Sequence, residues 1–372
     1  MVYKRKPILG KIIKCIIIIM VIGFVVACYT VDNLKNNKYV VIAKKKIDAA
    51  ISVVTNRASD SFAALVESYE PDEYDDSIYY VSNSQDRYYY NQLDDNSKII
   101  YAEILNNLNR IKDGEDNIKI SSRLSLLANS NDMNDALMTA FQNAWDAFRN
   151  DNVDVFYIDG TKMCLVTKTI KRGSKTKYEF YISKGKNANY LIDGFVSKEQ
   201  VEIAEQFISH KEKEILDEIN NKNDYYKILN AHNWIVDNIC YNTQDSYNNA
   251  NLYGALYDKK VVCEGYARLF KSLMDKMNIP CVFVSGVGIN EGHSENHAWN
   301  YVFLKGEWYA VDVTWDDPIV IGNGKISQSI KYRYFLKGSD NFFTSHEEDG
   351  TFVEKGMKFK YPEISKEDYV KE

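Results

Sequence analysis

Three side chains in the second half of the chain are of the types that carry out nucleophilic chemistry. Cys263 opens an apolar helical pattern, and His297 and Asp312 lie on two later stretches of alternating polarity. A thiol, an imidazole and a carboxylate in contact form a triad in which the imidazole takes the thiol proton and the carboxylate orients the ring. We therefore predict that these three residues act together on a carbonyl group.

The first element that must position this chemistry is a helix beginning at Cys263. Its apolar positions are Tyr266, Leu269, Phe270, Leu273 and Met274, and the pattern ends before Pro280. Free backbone N–H groups and the positive end of the helix dipole favour a thiolate at a helix start, and the Cys263 N–H is a candidate oxyanion donor. A buried, chemically inert cysteine is the alternative interpretation.

The second element is a hairpin over residues 297–303 and 307–315, closed by Lys305-Gly306 and preceded by a strand over 281–287. With this turn, His297 and Asp312 fall on the same face as diagonal neighbours, about 7–8 Å apart between backbone positions. The carboxylate can therefore orient the imidazole.

Two segments resemble a known family: VCEGYARLFKSLMDKMNIPCVFVSG and NHAWNYVFLKGEWYAVDVTWDDP. They are similar to the transglutaminase-like superfamily of papain-type thiol enzymes, especially its bacterial extracytoplasmic branch, over about residues 225–340. The resemblance implies an α+β fold in which the nucleophile helix packs on an antiparallel sheet. It makes Cys263 the nucleophile, His297 the general base and acid, and Asp312 the orienting carboxylate. Positions that it implies to be structural or pocket-forming are Trp299, Trp315, Asp316 and Pro318.

The segment from His293 to His297, with Glu295 between them, also has the residue types of a zinc site. We predict no metal here, because the segment leaves a loop and enters a strand, where residues four apart do not share a helical face. No cofactor is predicted for the chain.

Other polar residues near the triad receive structural interpretations. Asp316-Asp317 predicts a turn rather than a pair of acid–base carboxylates, and Glu264 a solvated acid favoured by the helix dipole. Cys240 and Cys281 either pair as a disulfide or are two buried free thiols. His210 and His232 fall in predicted helices over about 197–219 and 224–240, and both are expected to be structural.

The N-terminus has the shape of a signal or membrane anchor. Residues 15–31 are apolar and uncharged, a cationic stretch precedes them, and Asp32 follows. Spans of about 17–25 residues cross a bilayer, and cationic flanks stay in the cytoplasm. We predict a single anchor with the rest of the chain outside the cytoplasm. A bacterial lipoprotein modified at Cys28, within a lipobox-like VVAC, is the alternative, and a cleaved signal peptide is also open.

The length of 372 residues exceeds that of one ordinary domain. We predict a signal or anchor over 1–31, a helical stalk over 32–69, a small α+β region of unknown role over 70–192, a transglutaminase-like catalytic domain over 193–345 and a C-terminal extension over 346–372. Within 70–192 we expect helices at 94–112 and 131–149 and strands at 153–158, 162–170 and 177–183, with hairpins at Asp159-Gly160 and Arg172-Gly173.

Composition and charge exclude several classes of function. The net charge of -6, with no basic stripe in the globular part, argues against nucleic-acid binding.

The expected protein is a membrane-tethered cysteine enzyme acting on protein or cell-wall peptide carbonyls through an acyl-enzyme. The acyl group then passes to water, as in a peptidase or amidase, or to an amine, as in a protein-glutamine acyltransferase. The alternative is a catalytically idle, surface-anchored module that binds peptides or proteins with the same fold.

Overall fold

A computed structural model describes residues 87–124, 133–219, 221–242, 244, 246–290, 292–317, 327–353 and 356–371. These residues belong to one compact unit, Tyr74–Glu372. The predicted anchor, the predicted stalk and Cys28 lie outside the described residues. No helix within the described ranges is long and apolar enough to cross a membrane.

Helices and strands alternate along the described ranges. The helices are α1 (Asp95–Asn106), α2 (Leu108–Lys112), α3 (Met133–Asp151), α4 (Lys198–Ile219), α5 (Asp224–Asn238), α6 (Leu252–Tyr257), α7 (Cys263–Lys276), α8 (Gln328–Lys331) and α9 (Ser339–Phe342). The strands are β1 (Ile118–Ile120), β2 (Cys164–Arg172), β3 (Lys175–Ser183), β4 (Cys240–Tyr241), β5 (Lys260–Val261), β6 (Cys281–Asn290), β7 (His293–Leu304), β8 (Glu307–Val311) and β9 (His346–Glu348).

The strands form three sheets. A four-stranded antiparallel sheet has the order β8-β7-β6-β9, and helix α7 packs on its β6 and β7 strands. A three-stranded antiparallel sheet has the order β1-β3-β2, and β4 and β5 form a short parallel pair that leads into α7. This mixture of helices with mainly antiparallel sheet is the predicted α+β class.

The β7–β8 hairpin has the register that its turn predicts. Leu304 pairs with Glu307, and the ladder continues to Asn300 opposite Val311. Both turn residues, Lys305 and Gly306, have positive φ angles of 55° and 95°. Two left-handed residues in a two-residue loop match the twist of the flanking strands, which fixes the pairing.

Three sequence-based strand or turn predictions are wrong. Residues 153–158 form turns, because their apolar side chains are buried without a ladder partner, apart from one bridge from Ile158 to Leu191. Asp159-Gly160 opens a short 3₁₀ helix instead of a hairpin, since the Asp159 carboxylate accepts from Thr161 N at 2.9 Å. The strand predicted to reach Trp315 ends at Val311, because the Asp312 carboxylate accepts from the backbone N–H groups of Thr314 and Trp315 and forms a turn.

The two boundaries predicted between 192 and 193 and between 345 and 346 both fall within the compact unit. One hydrophobic core extends from Tyr89 to Ile364. Tyr89, buried in the N-terminal part, donates a hydrogen bond to the backbone oxygen of Phe283 in β6. Strand β9, after residue 345, pairs with β6 at the edge of the four-stranded sheet.

Candidate active site

Cys263 is the first residue of α7, as predicted from the helical pattern. Its N-cap residue, Val262, makes no side-chain cap, so no capping side chain occupies the Cys263 backbone N–H at the start of the helix. The half-buried thiol packs near Ala267, Phe283 and Ala298 and lines a cavity of about 310 Å³. A thiol in this place combines a helix N-terminus with access to a small molecule or peptide.

His297 lies in the centre of β7, opposite Gly286 of β6, and lines the same cavity as Cys263. Its ring is buried and stacks on Trp315, with ring centres 4.8 Å apart and an interplanar angle of 26°. Gly288 makes this stack possible, because a Cβ there would approach the Trp315 ring to 2.6 Å. The glycines of β6 thus leave room for the imidazole and its aromatic support.

Asp312 follows the last residue of β8 and is completely buried. Its Oδ1 accepts hydrogen bonds from Thr314 N at 3.0 Å and from Trp315 N at 3.1 Å. This turn around the carboxylate ends the strand early and directs Oδ2 at His297, whose Nε2 donates to it at 2.7 Å. The structure therefore brings together the imidazole and the carboxylate that the hairpin register placed as neighbours.

His346 is a fourth member of this cluster, and the sequence analysis missed it. Its Nε2 donates to Asp312 Oδ2 at 3.2 Å, and its Nδ1 lies 3.0 Å from Ser345 Oγ. The buried ring stacks on Phe342, with ring centres 3.9 Å apart. A single histidine in the segment TSHEED gives no local signal, because its partner Asp312 lies 34 positions earlier in the chain.

The buried pair has strongly shifted acidities. Burial alone would raise the pKa of Asp312, but the imidazoles of His297 and His346 hold it well below its usual range. Burial alone would lower the pKa of His297, but the Asp312 carboxylate, with a smaller contribution from Cys263, raises it to about 10. His297 is therefore stabilised as an imidazolium at neutral pH.

The two ring nitrogens of His297 have different surroundings. Nε2 is used by Asp312, so Nδ1 is the ring nitrogen left for the thiol, and the nearby Cys263 contributes to the raised pKa of the imidazole.

Two groups of side chains have the residue types of a metal site. His293 and His297 lie on the same strand, where a rise of about 3.4 Å per residue separates them by about 13 Å. That distance prevents them from sharing one ion. The side chains of His297, Asp312 and His346 offer three atoms within 4.8 Å of one another. In this cluster both imidazoles donate to Asp312 Oδ2, so an ion would have to replace two protons.

The residues with weaker sequence interpretations have definite places. Asp316 is buried, accepts from His232 Nε2 at 3.0 Å and from Tyr334 N at 2.8 Å, and so closes the turn as a structural group. Asp317 accepts from Tyr266 OH at 2.6 Å. Pro318 lies outside the described residues, and Trp299 is buried in the core.

Two expectations about side-chain environment are wrong. Glu264 is an ion-pair partner rather than a solvated acid: its Oε1 accepts from Arg268 Nη2 at 2.8 Å and from Arg149 Nη2. Cys240 is exposed and Cys281 is buried, so they are not two buried thiols, and both are free of disulfides.

Comparison with known proteins locates the family resemblance on this site. Residues 213–313 match the family model described as Transglutaminase-like superfamily. Over this stretch the chain is similar to that superfamily. The stretch contains Cys263, His297 and Asp312 and ends before His346, which therefore lies outside the matched part.

Individual relatives overlap with a limited part of the chain. The Kyphoscoliosis peptidase of Mus musculus is 34% identical over 100 residues, which are 24% of this chain and 15% of that protein. The Kyphoscoliosis peptidase of Homo sapiens is 37% identical over 73 residues, 18% of this chain and 11% of that protein. A solved structure described as a TGase is 14% identical, covers 41% of this chain and 46% of its own, and has a TM-score of 0.27. The chain thus spans well under two thirds of the length of each of these proteins.

Proposed function

We propose that the protein is a thiol enzyme that transfers the acyl group of an amide or peptide to Cys263 and then to water or an amine. The observation that carries this proposal is one cavity shared by a helix-start thiol and an imidazole whose far nitrogen binds a buried carboxylate. These are the parts that a Cys-His-Asp mechanism requires.

The reaction follows from the positions of the atoms. His297 Nδ1 holds the proton given up by Cys263, the thiolate sulfur attacks the carbonyl carbon, and the backbone N–H of Cys263 donates to the oxyanion that forms. The C–N bond then breaks as the imidazolium gives its proton to the leaving amine. Water or an amine attacks the remaining thioester, and His297 takes the proton of the attacking group. The C–S bond then breaks, which releases the acid or amide and restores the Cys263 thiolate beside the His297 imidazolium.

The acceptor, location and substrate are parts of the same proposal. The name peptidase on the two curated relatives favours water as the acceptor, hence hydrolysis. The apolar run over residues 15–31 supports a membrane-tethered enzyme working outside the cytoplasm, where proteins or cell-wall peptides are the accessible substrates.

The proposal is tested with 4-nitrophenyl acetate, a reactive acyl donor that requires no knowledge of the natural substrate. The full chain should release a burst of one nitrophenolate per protein and carry an acetyl group on Cys263 in a peptide mass spectrum. The acetylated protein is then incubated with and without added hydroxylamine. The rates at which it loses the acetyl group measure how the group divides between water and an amine acceptor. A Cys263→Ala variant should lose the burst, and Cys164→Ala, which removes another free thiol, should keep it. Acetylation that is equal at Cys164 and Cys263, without a burst, would overturn the proposal and favour the binding module.

A further inference from the structure

A second cavity of about 250 Å³ adjoins the one that contains Cys263. Arg149 of α3 and Glu264 of α7 line both cavities. Because Glu264 directly follows Cys263, the second cavity begins within one residue of the nucleophile. The two cavities therefore meet at the Arg149–Glu264 ion pair.

The charge at this junction is positive. Arg268 is nearly buried, with 7% of its side chain exposed, and donates to Glu264 Oε1 from Nη2 at 2.8 Å and from Nε at 3.1 Å. Glu264 Oε1 also accepts from Arg149 Nη2, so two guanidinium groups share one carboxylate. The Arg149 guanidinium, with 38% of its side chain exposed, adds a second positive charge at the cavity wall. Arg268 Nη1 also donates to the backbone oxygen of Arg149 at 2.7 Å, which fixes the base of that side chain.

Two further carboxylates, Asp159 and Asp349, line the cavities, one in each. In the second cavity, Asp159 Oδ1 accepts from Thr161 N and Oγ1, and its Oδ2 lies 3.6 Å from Lys162 Nζ. In the first cavity, Asp349 accepts from Thr351 N. Among the described residues neither carboxylate forms an ion pair with Arg149, so Arg149, Arg268 and Glu264 leave one unit of positive charge at the junction itself.

The floor of the second cavity is apolar. It is formed by the side chains of Trp145, Val153, Phe156, Ile158 and Ile192. The indole of Trp145 lies directly on Gly160, where a Cβ would come within 2.2 Å of Nε1. A cation at the rim of an apolar pocket is suited to a group that combines an apolar side chain with a carboxylate.

We propose that the second cavity is a substrate subsite for an apolar residue bearing a carboxylate, which the Arg149 guanidinium binds. This inference rests on the proposed function, since it gives the thiol enzyme a preferred class of peptide. The carboxylate comes from a peptide C-terminus or from an acidic side chain, and the reagents of the test separate these two sources.

The test measures alkylation of Cys263 in the full chain by bromoacetyl-leucine and by bromoacetyl-leucinamide, which differ only in the carboxylate. A third reagent, bromoacetyl-glutamic acid α-amide, carries its carboxylate on the side chain. Rates are divided by those of the same reagents with 2-mercaptoethanol. The acid should exceed the amide by about two- to fivefold, the range expected for a partly exposed ion pair. Whichever acid reacts faster identifies the source of the carboxylate.

Variants assign this preference to the cavity. Arg149→Met should abolish the acid-to-amide ratio and Arg149→Lys should retain most of it, whereas Arg110→Met, which removes a paired arginine far along the chain, should leave the ratio at the wild-type value. Ala250→Phe, which fills the second cavity, should remove the preference for bromoacetyl-leucine over bromoacetyl-glycine. A ratio that is the same in Arg149→Met and wild type overturns the subsite. Failure of the proposed function gives a different result from failure of the subsite. Cys263 would then react with bromoacetyl-leucinamide no faster than exposed Cys240 does, whatever the acid-to-amide ratio.

Discussion

Two buried histidine–aspartate pairs in this protein differ in how their carboxylates are held. His297 donates to Asp312 at 2.7 Å, and His232 donates to Asp316 at 3.0 Å, with all four side chains almost fully buried. Asp312 accepts from two imidazoles and two backbone N–H groups, whereas Asp316 accepts from one imidazole and one backbone N–H. The difference in donors sets how firmly each carboxylate is held in its ionised form.

The acidities of the two carboxylates move in opposite directions. At Asp312 the imidazoles overcome the effect of burial, and its pKa is held well below the usual range. At Asp316 burial dominates over His232 and raises the pKa to about 6. The imidazoles also differ: the free nitrogen of His297 faces Cys263, whereas Nδ1 of His232 lies 3.4 Å from Asn233 Oδ1. A histidine–aspartate contact thus becomes chemically useful only with a firmly ionised carboxylate and an open ring nitrogen beside a nucleophile.

The largest predicted difference between the pairs concerns acyl transfer. Asp312→Asn should lower the rate of Cys263 acetylation by about 10²-fold or more, because the imidazolium loses the charge that stabilises it. Asp316→Asn should retain most of the rate. The comparison fails if both variants lose activity equally while both remain folded by circular dichroism.

The second prediction concerns stability at the structural pair. His232→Phe removes the imidazole and leaves the buried Asp316 carboxylate without its side-chain partner, which should cost about 3 kcal/mol of unfolding free energy in urea at pH 7. His210→Ala, at an exposed position on α4, should stay within about 0.5 kcal/mol. An equally small effect at His232 would show that this pair contributes little to the fold.

The third prediction separates the carboxylates by the sign of their pH dependence. Asp316 has a pKa of about 6 in the fold against 3.8 as a free side chain, so the folded state keeps a proton that the unfolded state loses. Asp316 therefore causes the free energy of unfolding to fall by about 3 kcal/mol as pH rises from about 4 to 6.

Measured as the difference from wild type, Asp316→Asn should gain relative stability across that interval. Asp312 has a lowered pKa, so its contribution is present above about pH 4 and is lost as pH falls below that value. Urea unfolding of Asp316→Asn and Asp312→Asn from pH 3 to pH 7 measures the sign of the pH dependence that each carboxylate contributes. Parallel curves for the two variants would contradict the assignment of charge.

The smallest predicted effect belongs to His346. The variant His346→Phe removes one donor from Asp312 while keeping an aromatic ring next to Phe342. The carboxylate then binds the remaining imidazolium more strongly, so the pKa of His297 should rise further, by less than about one unit. Nitrogen NMR of the five histidines can follow this titration, with His297→Gln to assign the signal. A lower pKa in the variant would exclude His346 as a competing donor.

The sequence predicts the parts of the site that depend on local rules. The start of α7 follows from apolar periodicity, and the closeness of His297 and Asp312 follows from a two-residue turn with a fixed register. The end of β8 at Val311 depends on a carboxylate binding the turn that follows, which alternation of polarity does not reveal.

Local rules do not predict contacts between residues that are remote in sequence. His346 reaches Asp312 only because β9 adds to the far edge of the sheet, and Glu264 meets Arg149 across 115 positions of the chain. Such contacts depend on tertiary packing, and no periodicity in a single sequence encodes them. The roles of Cys263, His297 and Asp312 in a reaction stay predictions that rest on geometry and resemblance.

The most direct test of the account is the pH dependence of iodoacetamide alkylation at each cysteine of the full chain, compared with a His297→Ala variant. We expect Cys263 to react rapidly below about pH 7, well under the pKa of roughly 8.5 of an unperturbed thiol, and to slow in the variant, with exposed Cys164 and Cys240 as references. A Cys263 rate that follows those of Cys164 and Cys240 at every pH, and does not change in the variant, would contradict the thiolate–imidazolium pair.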